Sequence, residues 1–163
     1  MKVVVSDSTV LIGLSKIDCL FLIKEMFQEI YVPEAVFREV TEDGWPRPGA
    51  EAVYNAAWIL RKQVSDRTEV HFLMTVLEEG EAEVLVLAKE LQADLILLDE
   101  DKARKSAARA GFSVMGVIGI LIAAKRLNLI ASVRIHIEKL QRERFRISER
   151  VVNMALQQAG KLA

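Results

Sequence analysis

Short β-branched runs alternate with segments of helical periodicity along most of this chain, and this alternation restricts the fold more than any other feature. The predicted strands are KVVVS, EIYV, DLILLD and FSVMG, with a weaker one in WILRKQV. The helical patterns between them include CLFLIKEMF, PEAVFREV, residues 79–91, EDKARKSAARAG and VIGILIAAKRLN. This order predicts βαβ units, and therefore a three-layer α/β/α fold with a mainly parallel central sheet.

The length of the chain suits one compact domain. It has 163 residues, 52% of them hydrophobic, which is enough for a substantial core. We expect a single domain over residues 1–163, with a helical extension at about residues 131–160 made of two helices that separate near residues 145–148. The prolines and glycines of residues 41–52 predict a surface loop leading into a helix around GAEAVYNAA. The polar passage up to His71 has no assignment.

Composition excludes several classes of protein. The 22 basic residues balance 23 acidic ones, so any contact with nucleic acid must come from a local patch. Cys19 is the only cysteine, which excludes an intrachain disulfide and a thiolate cluster and indicates a buried thiol. The longest apolar run, residues 114–124, is too short to span a bilayer, and the first residues are a poor secretory signal. We expect a soluble cytoplasmic protein.

Two strongly apolar predicted strands end on a carboxylate. Asp7 follows KVVVS, and Asp99 ends LILLD. In open α/β sheets, ligands bind beyond the carboxyl ends of the strands, where an acid can face the crevice. Aspartate is also a good N-cap, so for either residue alone a capping role is equally compatible with the sequence. Two such endings favour a functional site.

Helical phase adds two further acids. In EEGEAEVLVLAKEL, Glu81 lies on the inward stripe of the helix, one turn before Val84, whereas Glu83 is expected to be a solvated surface charge. In PEAVFREV, Glu39 lies at the edge of the apolar face. Several carboxylates in one crevice raise one another's pKa unless a cation compensates. Oxygen ligands alone favour Mg²⁺ or Mn²⁺, which suit phosphodiester hydrolysis. His71 and His136 are expected at the surface or in packing.

The chain resembles a known nuclease family in four segments. VVVSDSTVLIGLSKI, VPEAVFREV, GEAEVLVLAKELQADLILLDEDKAR and GVIGILIAAKRLNLI together are similar to a PIN domain, the fold of the VapC toxins of bacterial and archaeal toxin–antitoxin pairs. The GEAE helix, the LLDED ending and the late FRIS stretch resemble a PIN branch distinct from the best-known toxins. The resemblance runs over nearly the whole chain.

This resemblance implies a set of site residues and an activity. It makes Asp7, Glu39, Glu81 and Asp99 the acidic site and metal ligands, with Thr9 as the hydroxyl residue near the metal. It implies cleavage of RNA with Mg²⁺ or Mn²⁺, often by a homodimer whose site an antitoxin protein blocks. Many PIN toxins have aspartate where this chain has Glu81, so Glu83 stays open as a ligand, as do Glu100 and Asp101 beside Asp99.

Two clusters of basic residues are candidates for phosphate contacts. One follows Asp99 on a single predicted helix and the other lies in QRERFR; they are Lys102, Arg104, Lys105 and Arg109, and Arg142, Arg144 and Arg146. Either cluster also fits a solvated surface.

Rival functions remain open at this stage. The glycines at 116 and 119 do not form a dinucleotide fingerprint, and no phosphate-binding P-loop motif is present. DST lacks the second aspartate of a haloacid-dehalogenase phosphatase. The main alternative is a catalytically inactive PIN-like module with a binding or regulatory role. Cleavage of structured DNA would use the same chemistry.

Overall fold

A parallel β-sheet forms the centre of the molecule. A computed structural model describes residues 1–43, 45, 47 and 49–160. Within them the sheet has the order β3-β2-β1-β4-β5, with every neighbouring pair parallel. The strands are β1 (Val4–Ser6), β2 (Ile30–Pro33), β3 (Ile59–Lys62), β4 (Leu95–Leu97) and β5 (Val114–Met115). The predicted parallel α/β architecture is confirmed.

Helices flank the sheet in two groups. The first group is α3 (Glu34–Thr41), α4 (Ala50–Asn55), α5 (Arg67–Leu73), α6 (Glu79–Leu91) and α7 (Asp101–Arg109). In it α3, α5 and α7 pack on α6, and α4 packs on α3. The second group is α1 (Ser8–Lys16), α2 (Phe21–Phe27), α8 (Val117–Arg126), α9 (Val133–Arg142) and α10 (Glu149–Gly160). The other four helices of this group all pack on α8. The two layers bury the central strands on both faces, which is why β1 and β4 are continuously apolar.

Three local features were not predicted from the sequence. The stretch after Asp7 forms α1, and the unassigned passage contains α5. Proline suits the first turn of a helix, but Pro33 ends β2 and occupies the N-cap position of α3. Of the predicted loop at 41–52, Gly44, Pro46 and Pro48 lie outside the described residues. No helix in the described parts of the chain is long and apolar enough to cross a membrane.

The C-terminal helices pack back onto the domain. α10 contacts α8 and α9, and its Ala155 is buried. Between α9 and α10, the Phe145 ring lies against Gly13 of α1, where a β-carbon would stand 2.7 Å from the ring Cε2. The extension is therefore in contact with the helix that begins at Asp7.

Candidate active site

The sheet reverses its winding direction between β1 and β4. The chain proceeds from β1 to β2 and β3 on one side, and β4 and β5 are added on the other side. The carboxyl ends of two such strands bound the crevice where open α/β proteins bind ligands. Asp7 follows β1, and its N–H donates to the Leu97 carbonyl of β4 at 2.9 Å. Asp99 follows β4, and its N–H approaches Asp7 Oδ2 at 3.4 Å.

A cavity of about 820 Å³ opens at this edge of the sheet. Five carboxylates lie on its walls: Asp7, Glu39, Glu78, Glu81 and Glu100. Thr9, in the first turn of α1, lines the same cavity with an exposed side chain. The structure thus brings together four of the five predicted site residues, contributed by β1, α1, α3 and α6.

Asp7 is the most buried of these acids, with only 3% of its surface exposed. It is the N-cap of α1, and its Oδ1 accepts a hydrogen bond from Val10 N–H at 2.9 Å. Burial raises its pKa to about 8 against the stabilising Val10 bond, and the charges of Asp99 and Glu81 add to the increase. The capping and site interpretations of Asp7 are therefore compatible, because one oxygen caps α1 while the residue lines the cavity.

The Asp99 side chain is directed differently from the other acids. Its Oδ2 accepts from Val117 N–H at 3.0 Å, so it caps α8, and Arg104 lies 4.0 Å from its Oδ1. Burial raises the pKa of Asp99, while the Val117 bond opposes the increase. Asp99 is not among the residues lining the cavity, whereas the next residue, Glu100, is. Glu100 is therefore the acid that extends the Asp99 end of β4 into the cavity.

Glu81 and Glu39 meet where α3 crosses the start of α6. Glu81 Oε1 accepts from Glu78 N–H at 3.1 Å in a capping box. Burial raises the pKa of Glu81, and the charges of Glu100, Glu78 and Glu39 raise it further. Glu39 Oε2 lies against Gly80, where a β-carbon would stand 3.3 Å away. The close crossing brings the two carboxylates to adjacent positions on the cavity wall.

A row of cations lines the same cavity. Lys102, Lys105 and Arg109 are spaced three and four residues apart on α7, so they share one helix face, and all three line the cavity. Arg104 points away and donates to the Leu98 carbonyl at 3.2 Å. Arg142 lines a separate groove of about 160 Å³ with Lys16 and Lys139, and neither Arg144 nor Arg146 is a cavity residue. Only the α7 cluster is therefore part of the candidate site.

The donor chemistry of the cavity suits a hard divalent cation. Its side-chain donors are carboxylates and hydroxyls, which Mg²⁺ and Mn²⁺ prefer over nitrogen or sulfur ligands. Burial is the main cause of the raised pKa values of Asp7 and Glu81, and neighbouring carboxylates raise both further, so a bound cation would favour their ionised forms. Among the described residues, no group of three or more His, Cys, Asp or Glu side chains is arranged so that it could hold a metal ion by itself. Magnesium typically keeps several waters and takes few protein ligands, so the donor chemistry fits.

Comparison with known families decides the identity of this fold. A family model described as a PIN domain matches residues 3–161, nearly the full chain. The chain belongs to the PIN-domain family. A search of curated proteins gave no match. PIN domains are generally nucleases and typically use divalent metals, so the predicted nuclease fold is confirmed at this level. The roles of the individual residues stay predictions.

One sequence expectation about this PIN domain is wrong. Glu83 is not a solvated surface charge, because only 3% of its side chain is exposed. Its Oε2 accepts from Arg67 at 2.8 Å, and its Oε1 accepts from Ala35 N–H at 3.1 Å. α3 and α5 both pack on α6 and cover the face that periodicity assigns to solvent. Glu83 lies in a second cleft, away from the acids of the main cavity.

The cavity also contains a segment that the sequence analysis did not assign to it. Residues 74–78, between α5 and α6, line it with the exposed side chains of Met74 and Val76. The signal for this segment is topological: it precedes the helix that leads into β4, so it must lie at the carboxyl edge of the sheet. Cys19 is buried, as predicted. His71 is exposed, and His136 Nδ1 lies 2.7 Å from the Ser132 carbonyl.

Proposed function

We propose that this PIN domain is a metal-dependent endoribonuclease that hydrolyses RNA phosphodiester bonds. The supporting observation is that one cavity at the carboxyl edge of the sheet is lined both by carboxylates and by the α7 cations. The acids suit a cation and a reactive water, and the basic row suits the phosphates of the substrate. Neither half alone favours a nuclease as strongly, because acids without cations would repel a polyanion.

Asp7 and Glu81 are the proposed principal ligands of Mg²⁺ or Mn²⁺, with Asp99 or Glu100 completing the set from the end of β4. A divalent ion bound there would lower the pKa of water and stabilise charge on the phosphate oxygens. Glu39 would orient the hydrolytic water or help hold a second ion, and Thr9 would donate a hydrogen bond to a substrate oxygen. Asp7 would keep Oδ1 bonded to Val10 N–H and would bind the cation through Oδ2, which lies 3.4 Å from the Asp99 nitrogen.

The α7 cations have a separate proposed role. Lys102, Lys105 and Arg109 lie along about 10 Å of helix, given the rise of 1.5 Å per residue. They would bind successive phosphates of one strand and direct it across the acids. Such contacts are independent of sequence, so they would contribute affinity and leave the choice of target to other residues.

The experiment is cleavage of a mixed RNA pool and a matched single-stranded DNA pool, with Mg²⁺, with Mn²⁺ and with chelator. The unaltered protein is compared with Asp7→Asn and with Glu25→Gln, which changes an exposed acid of α2 outside the cavity. We expect metal-dependent RNA cleavage by the unaltered protein and Glu25→Gln, and none by Asp7→Asn. Preferential cutting of DNA would contradict the substrate assignment. Mn²⁺ binding without any cleavage would instead support the inactive binding module.

We further propose that the enzyme is the toxin of a toxin–antitoxin pair, that it works as a homodimer and that an antitoxin blocks its cavity. This rests on the VapC resemblance.

Induced expression should arrest growth of a bacterial host, and Asp7→Asn should abolish the arrest. Light scattering of the purified protein should give twice the mass of one chain. Unimpaired growth despite measurable RNA cleavage in vitro would contradict the toxin role.

A further inference from the structure

Glu83 is a buried carboxylate that the proposed chemistry does not use. It lies on the second turn of α6, and its two oxygens bond to two different helices: Oε1 to Ala35 N–H of α3, and Oε2 to Arg67 of α5. A buried charge is costly unless it is paired and hydrogen-bonded, and both conditions are met here. Glu83 therefore joins three helices at one point.

The bond to Ala35 supplies a cap that α3 lacks locally. Pro33 occupies the N-cap position and makes no side-chain capping bond. The first N–H groups of a helix have no partner within it, and a negative charge there is favoured by the helix dipole. Glu83 meets both needs from a neighbouring helix. The position of the α3 N-terminus is thus set by a side chain of α6.

The same two helices meet again at the candidate site. One turn further along α3, Glu39 lies against Gly80, which is three residues before Glu83 on α6. Ala35 and Glu39 are four residues apart on α3, and Glu83 and Gly80 are three residues apart on α6, so the two contacts lie about 5 Å apart along either helix axis. A shift at the first contact would therefore move Glu39 relative to Glu81.

We propose that Glu83 is a positioning residue for the reaction, which sets the placement of Glu39 beside Glu81 by capping α3. The inference rests on the proposed nuclease function. The other bond of Glu83, to Arg67 of α5, is not part of the proposed positioning of Glu39. The chain offers a matched ion pair for comparison. Lys89 and Glu69 form an ion pair at 3.3 Å that joins α6 to α5, with no bond to α3 among those of the described residues.

The test is a double-mutant cycle between Glu83→Met and Glu39→Gln, with Glu83→Gln and Lys89→Ala as comparisons. Glu83→Met removes the acceptor for Ala35, whereas Glu83→Gln keeps an oxygen there. We expect Glu83→Met to lower kcat by about 10- to 100-fold, with KM for RNA within about twofold, and Glu83→Gln to lower kcat less. In the Glu39→Gln background, Glu83→Met should cause no further loss of kcat, because it acts through Glu39.

Two further readouts separate positioning from a purely structural role. Glu83→Met should weaken Mn²⁺ binding measured by calorimetry in the unaltered background and leave it unchanged in the Glu39→Gln background. The change in Tm should be the same in both backgrounds, and Lys89→Ala should leave kcat unchanged. Additive losses of kcat, or a Tm change without a kcat change, would overturn the positioning role. Absence of cleavage and of Mn²⁺ binding by the unaltered protein would instead overturn the proposed function.

Discussion

Asp7 is a carboxylate that the fold buries at an energetic cost. Its pKa rises from 3.8 to about 8 because burial disfavours its charged form. The folded state therefore holds a proton that the unfolded state has already released. The contribution of Asp7 to the free energy of unfolding is fully present below about pH 4 and is lost as the pH rises towards 8. A cation that binds the ionised form would offset this loss.

We predict that Asp7→Asn stabilises the metal-free protein. At pH 8 the variant should have a Tm several degrees above that of the unaltered protein, since asparagine can keep the oxygen that accepts from Val10. The difference should shrink towards pH 4, where Asp7 is neutral. Thermal unfolding in chelator across this pH range measures it. A lower Tm for Asp7→Asn at pH 8 would contradict the cost assigned to Asp7.

Gly116 tests the placement of Asp99. A β-carbon at position 116 would collide with the Asp99 carboxylate and press on Arg104. Gly116→Ala should displace Asp99 from Val117, and we expect a loss of cleavage of about tenfold or more with a folded protein. Gly160→Ala is the control, because a β-carbon there meets nothing within 4 Å. Wild-type cleavage rates in Gly116→Ala would show that the orientation of Asp99 does not matter.

At the scale of elements, α7 carries the basic wall of the cavity. Changing Lys102, Lys105 and Arg109 together to glutamine should raise KM for RNA strongly with a smaller effect on kcat. Loss of three phosphate contacts should also reduce the slope of log affinity against log salt by about 2. A matched triple change of Lys24, Arg134 and Arg150 outside the cavity serves as the control. Equal salt slopes in the two triple variants would contradict the role of α7.

α6 shows what sequence pattern can and cannot predict. Its period placed Glu81 on the inner face, and Glu81 does line the cavity. The same period placed Glu83 in solvent, because an amphipathic model assumes one buried face, whereas α6 is buried on every side from Ala82 to Ala88. The partners that bury Glu83 come from Ala35 and Arg67, which are 48 and 16 residues away in sequence. No local pattern encodes such contacts.

The strand ends were predictable for a different reason. Two apolar strands each end at an acid, Asp7 and Asp99. In a parallel sheet both strand ends lie at the same edge, and the parallel pairing of β1 and β4 confirms this. Their side-chain directions were not predictable, because the Asp99 carboxylate is drawn to the N-terminus of α8, a helix that follows a further strand. Glu100 lines the cavity, whereas the Asp99 carboxylate bonds to α8.

At the scale of the whole molecule, the C-terminal extension supports the helix that begins at the site. Phe145 packs against Gly13, and Phe145→Ala should lower the free energy of unfolding by about 2 kcal/mol through the space it leaves. Urea unfolding measures this. Phe72→Ala is the control, because 73% of Phe72 is exposed and little packing is lost. Equal stability losses in the two variants would contradict a packing role for the extension.

The central claim is that the acids at the carboxyl edge of the sheet bind a divalent cation, and Mn²⁺ calorimetry tests it most directly. The unaltered protein, Asp7→Asn and Glu25→Gln are titrated at pH 8 under identical conditions. We expect saturable Mn²⁺ binding by the unaltered protein and by Glu25→Gln, and loss of binding in Asp7→Asn. Equal binding by all three proteins, or no binding by any, would contradict the metal site and the nuclease mechanism built on it.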